Sequence, residues 1–232
     1  TISTLRVLGA GDVITGLGTI AQVLVGPRVS ASGEVATWVQ TDDGTQAVIR
    51  SRPELRRPVV LAPGIGGTGG TNHDWWVRRG THIDDMLLDP LLCVYDDLLQ
   101  TLVNVGYEMD VNLVVMNYDW RLLPGPVDGE ADAVVHGLTA DGISRAPFEW
   151  GVDYLGYVIR LAAEKWKELH PNDPELDAVD VIAHSTGGLV TRTYIQSEAY
   201  GGDITNSTVA RLPKIHNFVM MGVPNQGAAK AW

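Results

Sequence analysis

The segment at residues 179–189 constrains the fold of this chain more than any other stretch. It begins with an apolar run, passes through Ser185 and continues into a segment that is compatible with a helix. A strand, a very tight turn and a helix with serine at the apex form a nucleophile elbow, whose flanking positions must be small. Ala183 and Gly187 meet that requirement, although the usual pattern has Gly at the first of these positions. The segment therefore predicts a strand, a nucleophilic Ser185 and a helix.

Apolar runs and helical periods alternate on both sides of this elbow. Continuous apolar runs are typical of strands that are buried on both faces of a parallel sheet. Apolar residues spaced three and four apart predict helices between them. This order predicts an α/β protein with a mostly parallel sheet and helices on both faces. The predicted strands are 58–62, 112–118, 179–183 and 215–223, and the predicted helices are 91–105, 148–170 and 189–197.

The amino-terminal part of the chain has a different pattern. Residues 1–33 show no helical period and predict short strands or loops. Two β-prone runs, at 34–40 and 46–50, flank a turn that contains Asp43 and Gly44. Asp-Gly between two such runs predicts an antiparallel hairpin.

Length and composition limit the class of protein. A chain of 232 residues suits one α/β domain over 1–232, and the aperiodic segment 121–146 predicts a lid or cap within it. The net charge of −11 argues against nucleic acid or an anionic membrane as a partner, and no apolar run predicts a transmembrane segment. The one cysteine, Cys93, excludes an internal disulfide and a cysteine metal cluster, and its apolar neighbours predict burial. The acidic balance and the low number of lysines fit a bacterial protein, and a secreted one is favoured.

A glycine-rich loop follows the first predicted parallel strand, at residues 63–70. Acyl transfer through serine needs N–H donors for the oxyanion, one directly after the nucleophile and one from this loop. We predict the backbone amides of Thr186 and Ile65 as these donors, with Gly66 as the second choice after Ile65. A phosphate-binding loop is the alternative, but the run lacks the Lys-Ser/Thr ending of a P-loop.

Four motifs occur in the order that a known superfamily has. They are Pro-Gly-Ile-Gly-Gly-Thr (63–68), Asn-Tyr-Asp-Trp-Arg (117–121), Ala-His-Ser-Thr-Gly-Gly (183–188) and Gly-Val-Pro-Asn-Gln-Gly (222–227). Together they resemble an α/β-hydrolase of the lipase type, and the Tyr-Asp-Trp-Arg element resembles the lecithin:cholesterol acyltransferase-like branch. The resemblance covers about residues 58–227. It implies a carboxylic-ester substrate, no cofactor, and a Ser-Asp/Glu-His triad in that chain order.

The acid and the histidine of such a triad are expected beyond Val223, close to where the sequence ends. Asp203 and His216 have the right order, but His216 begins a predicted strand and is expected at the opposite end of the sheet from Ser185. We therefore expect an amino-terminal part of a hydrolase whose carboxyl-terminal strands are missing. The run at 217–223 is then an edge strand that pairs with a missing segment or with another chain.

Other polar side chains near the predicted site have structural interpretations. His184 adjoins the nucleophile and is expected to point away from its hydroxyl. His73 follows the oxyanion loop and is an alternative base, although it precedes the serine in the chain. Asp119 and Arg121 are expected to form a structural ion pair near a strand end, with a pocket role as the alternative.

The predicted mouth of the site is surrounded by Trp75, Trp76 and the 121–146 segment. Exposed aromatic side chains and a lid suit a lipid substrate, and two adjacent tryptophans are equally typical of loop anchors. We predict a serine hydrolase that cleaves lipid-like or other small esters through an acyl-enzyme on Ser185, without cofactor or metal. A lipid acyltransferase with the same nucleophile and a non-catalytic binding module are the alternatives.

Overall fold

The computed structural model describes residues 9–29, 35–51, 56–90, 92–127, 129–130, 132–144, 147–197, 199–200 and 212–227. The chain divides into two compact units, Thr1–Leu55 and Arg56–Trp232. The interpretation of 1–232 as one hydrolase domain stays a prediction.

The first unit contains an antiparallel sheet of four strands. They are β1 (Val13–Ile14), β2 (Gly18–Val29), β3 (Val35–Thr41) and β4 (Gln46–Ser51). The strands lie in the order β1-β2-β3-β4, so that each pairs with its neighbour in the chain. Gln40 pairs with Gln46 across the predicted turn, where Gly44 has a φ of 85°. The hairpin prediction is confirmed.

The second unit combines a parallel sheet with a small antiparallel one and with helices. Its strands are β5 (Val59–Ala62), β6 (Thr68–Gly70), β7 (Met86–Leu88), β8 (Leu113–Val115), β9 (Ala178–His184) and β10 (Lys214–Met221). Its α-helices are α1 (Asp74–Val77), α2 (Asp96–Asn104), α3 (Gly151–Leu169) and α4 (Gly187–Gln196). Short 3₁₀ turns lie at Ile83–Asp85 and Ala140–Ser144.

Four of these strands form a parallel sheet in the order β10-β9-β5-β8. Helix α3 packs against β5 and β8, and α4 packs against β5, β9 and β10. The four-stranded parallel sheet with its helices is compatible with the predicted α/β class. Strand β10 lies at an edge of this sheet, as expected, with Val219 and Met220 about half exposed.

The small sheet of β6 and β7 was not predicted. The glycine-rich run was expected to be a flexible loop, but Thr68 pairs with Leu88 and Gly70 pairs with Met86. The loop after the first parallel strand is thus anchored by backbone pairing.

Strand β8 is shorter than predicted, because the chain leaves the sheet after Met116, whose N–H donates to the Leu61 carbonyl at 2.8 Å.

The prediction that Cys93 is buried is wrong. Its side chain is exposed, as are its neighbours Leu92 and Val94. The chain turns here with a φ of 53° at Cys93, and the Asp89 carboxylate accepts the N–H groups of Leu92 and Val94. Because this turn occupies the start of the predicted helix, α2 begins only at Asp96.

The 121–146 segment is attached to the helices that follow it. The Leu123 carbonyl accepts the Gly151 N–H at 2.8 Å, and the Val135 N–H donates to the Gln196 carbonyl at 3.1 Å. The 3₁₀ turn Ala140–Ser144 buries Ala140 and Ile143. A lid role for this segment stays a prediction.

Candidate active site

The turn at Ser185 has the geometry that an elbow requires. Strand β9 ends at His184 and helix α4 begins at Gly187, so two residues make the whole connection. Ser185 has a φ of 52°, in the left-handed region that residues other than glycine seldom adopt. Its N–H donates to the Met221 carbonyl at 2.9 Å. The strand–turn–helix prediction is confirmed.

Close packing explains the small residues around the serine. A Cβ atom added at Gly187 would overlap the carbonyl oxygen of Ala62, and one added at Gly188 would overlap the Val223 side chain. Ala183 is fully buried. A side chain at Gly187 or Gly188 would therefore displace the start of α4 from Ala62 or from Val223.

The loop after β5 passes directly beside the serine. A Cβ atom added at Gly64 would lie 2.7 Å from the Ser185 Cβ, so only glycine permits this approach. The next residue is Ile65, whose side chain is 64% exposed. Within the described part of the chain, the backbone N–H groups of Ile65 and Thr186 have no protein acceptor. Among the described residues, both predicted oxyanion donors next to Ser185 therefore lack an acceptor.

A buried tyrosine anchors the residue that follows the serine. The Tyr118 hydroxyl and the Thr186 hydroxyl are 3.0 Å apart. Burial raises the pKa of Tyr118 to about 12, so its hydroxyl stays neutral across the physiological range. The sequence shows Tyr118 as part of the motif at 117–121, but it does not predict the contact with Thr186.

A second tyrosine joins the loop and the elbow. The Gly64 N–H donates to the Tyr95 hydroxyl at 3.1 Å, and the same hydroxyl lies 2.8 Å from Nδ1 of His184. The rings of Tyr95 and His184 meet edge to face, with centroids 5.8 Å apart. Burial raises the pKa of Tyr95. His184 therefore packs against the Tyr95 ring.

The ion pair of Asp119 and Arg121 is also confirmed. Asp119 is fully buried, with Arg121 Nη2 at 2.7 Å and the Gly80 N–H donating to the carboxylate at 3.0 Å. The Arg121 guanidinium lies 3.7 Å from the centroid of the Trp75 ring. It also donates to the carbonyls of Trp75 and Arg78. The pair therefore anchors α1, the short helix that carries both tryptophans.

The two adjacent tryptophans lie in different environments. Trp75 is only 4% exposed and meets Trp120 edge to face at 6.5 Å, whereas Trp76 is 78% exposed. The prediction of Trp75 as a substrate contact is therefore replaced by the loop-anchor interpretation. Trp76 as a substrate contact stays a prediction.

None of the described histidines makes a hydrogen bond with Ser185. His216 lies at a register irregularity near the start of β10, whereas Met221 at the other end pairs with His184. His216 is therefore at the opposite end of the sheet from Ser185, as expected. His73 is exposed at the start of α1, and Asp203 lies outside the described residues.

These features define an α/β protein with a strained serine between strand and helix and a glycine loop beside it. Residues 81–133 match the family model of lecithin:cholesterol acyltransferase. The match supports a branch of lipases and acyltransferases, confirms the resemblance inferred from residues 117–121, and suggests an acyltransferase- or esterase-type activity on lipids. Searches of curated proteins and of solved structures gave no match.

No helix in the described ranges is long and apolar enough to cross a membrane.

Proposed function

We propose that this protein is a serine enzyme of the α/β-hydrolase fold that cleaves lipid-like carboxylic esters through an acyl-enzyme on Ser185. The observation that carries the proposal is the φ of 52° at Ser185, in a two-residue turn beside a glycine loop. Backbone strain in a residue other than glycine costs on the order of 1–3 kcal/mol and clusters at active sites. The family match at 81–133 supports acyl chemistry on a lipid.

The proposed reaction begins when the Ser185 Oγ attacks the ester carbonyl carbon and gives its proton to a general base. The carbonyl oxygen becomes an oxyanion, to which the Ile65 and Thr186 amides donate. Removal of one such donor slows this type of reaction by about 10²–10³-fold. Collapse of the intermediate expels the alcohol, which takes up the proton and leaves the acyl group on Ser185. Water then releases the acid. We place the base and its carboxylate partner outside the described ranges.

Acyl transfer is the second candidate, and the family match favours it. An alcohol acceptor replaces water in the last step, and the acyl-enzyme on Ser185 is the same. The two activities are distinguished by supplying a short-chain ester with and without a long-chain alcohol. A new ester of the added alcohol identifies a transferase, and release of free acid alone identifies a hydrolase.

A fluorophosphonate probe tests the nucleophile in the full-length protein. We expect labelling of the wild-type protein on Ser185, located by peptide mass spectrometry, and loss of labelling in Ser185→Ala. Ser144→Ala is the matched control, because this exposed serine closes a 3₁₀ turn outside the elbow, and it should be labelled like the wild type. An unlabelled, folded wild-type protein would contradict the proposal and favour a non-catalytic binding module.

A further inference from the structure

One hydroxyl group connects two of the chain segments that adjoin Ser185. The Tyr95 Oη accepts the N–H of Gly64 at 3.1 Å and lies 2.8 Å from His184 Nδ1. Gly64 is in contact with Ser185 and directly precedes Ile65, whereas His184 directly precedes Ser185 itself. The tyrosine therefore fixes the proposed oxyanion loop to the proposed nucleophile without touching either reacting group.

Chemistry fixes the direction of the first of these hydrogen bonds. A backbone N–H can only donate, so the Tyr95 oxygen is the acceptor for Gly64. The bond between the Tyr95 hydroxyl and His184 Nδ1 forms with either group as donor, because the hydroxyl oxygen has a second lone pair. The chain of bonds runs from Gly64 through Tyr95 to His184.

The tyrosine is held rigidly from its own side. Its carbonyl accepts the N–H of Leu99 in the first turn of α2, and its side chain is only 4% exposed. Asp89 fixes the preceding turn through the N–H groups of Leu92 and Val94. A Cβ atom added at Gly67 would lie 3.0 Å from the Tyr95 hydroxyl, so the loop also encloses the hydroxyl.

We propose that Tyr95 is a positioning residue for the reaction at Ser185. It acts through Gly64 on the amide of Ile65, and through His184 on the turn that presents the serine. This inference rests on the proposed function. Its physical basis is that an oxyanion donor is effective only when it is held in place before the charge develops.

The variant Tyr95→Phe removes the hydroxyl and keeps the ring. We expect kcat for hydrolysis of p-nitrophenyl butyrate to fall about tenfold with KM nearly unchanged. The reason is that a less firmly held oxyanion donor stabilises the transition state less but does not alter the binding of the substrate. Tyr154→Phe is the matched control. It also loses a buried tyrosine hydroxyl, one that donates to the Thr81 carbonyl at 2.6 Å, and it should keep the wild-type kcat.

A second readout does not depend on turnover. In ¹⁵N NMR spectra of the wild-type protein, the Nδ1 resonance of His184 should show a hydrogen bond, and Tyr95→Phe should shift this resonance. Equal kcat in the two variants, or an Nδ1 resonance that Tyr95→Phe leaves unchanged, would overturn the role of Tyr95. A wild-type protein that the fluorophosphonate does not label would overturn the proposed function as well, so the two failures are distinguishable.

Discussion

The backbone at Ser185 is held in a conformation that an L-residue avoids when it is free. The left-handed region costs a residue with a Cβ about 1–2 kcal/mol. The surroundings impose it, because the Ser185 N–H is bonded to Met221 and the backbone of Gly187 fits closely against Ala62. The serine is therefore held at a fixed position between β9 and α4. The other interactions of the fold offset the strain of its backbone conformation.

Replacement of this serine by glycine should relieve the strain. We expect Ser185→Gly to be more stable towards unfolding than Ser185→Ala by about 0.5–1 kcal/mol, since glycine accepts a positive φ but loses more chain entropy on folding. Urea denaturation at equal m-values measures the difference. The alanine variant is the control, because both substitutions remove the hydroxyl and only one removes the Cβ. An alanine variant as stable as the glycine variant would show that the turn is unstrained.

At the scale of elements, the irregular segment 117–121 connects parts of the second unit that are distant in sequence. Thr68 in β6 donates to the Tyr118 carbonyl, and the Trp120 indole donates to the Thr68 carbonyl at 2.8 Å. Tyr118 also reaches Thr186 at the start of α4. The segment thus holds the glycine loop and the elbow in one arrangement, and the buried ion pair of Asp119 with Arg121 stabilises it.

Replacement of Arg121 should lower the free energy of unfolding more than replacement of an exposed cation does. Arg121→Ala leaves Asp119 buried without its counter-charge, which typically costs about 3–5 kcal/mol of unfolding free energy. Lys165→Ala is the control, since the exposed pair with Glu168 is worth less than about 1 kcal/mol. Chemical denaturation of both variants tests the difference. A loss for Arg121→Ala no larger than for Lys165→Ala would contradict a structural role.

Local sequence patterns predicted those features that depend on residues close to one another in the chain. The small residues around Ser185, the apolar strands β5 and β9 and the Asp-Gly hairpin all fall in this group. Strand β6 was missed because Thr-Gly-Gly has low β-propensity and pairs only through the distant β7. The contacts of Tyr95 with His184 and of Tyr118 with Thr186 span 89 and 68 residues, and no local pattern indicates them.

At the scale of the whole molecule, β10 leaves one edge of the parallel sheet open among the described residues. Buried and exposed side chains do not alternate regularly along β10, and Val219 is 51% exposed. Unpaired N–H and C=O groups beside apolar side chains favour pairing with another strand. The expected partner, a further segment or a second chain, stays a prediction.

A lysine on this edge should weaken such pairing. We expect Val219→Lys to reduce self-association, measured by light scattering across a concentration series. Val127→Lys is the matched control, because this valine is 85% exposed in a loop and its substitution changes the net charge by the same amount. If both variants associate like the wild type, or both decrease equally, the open edge is not the cause.

The strand order also has a consequence for the biosynthesis of this protein. Strand β5 lies at the centre of the parallel sheet with all four residues buried, and its Val59 pairs with Leu113 on one side and Asp180 on the other. Ribosomes add about 5–20 residues per second, so on the order of ten seconds separate the emergence of β5 from that of β9. During that interval the apolar strand β5 lacks its β9 neighbour, and we expect chaperones that shield such segments to have their greatest effect then.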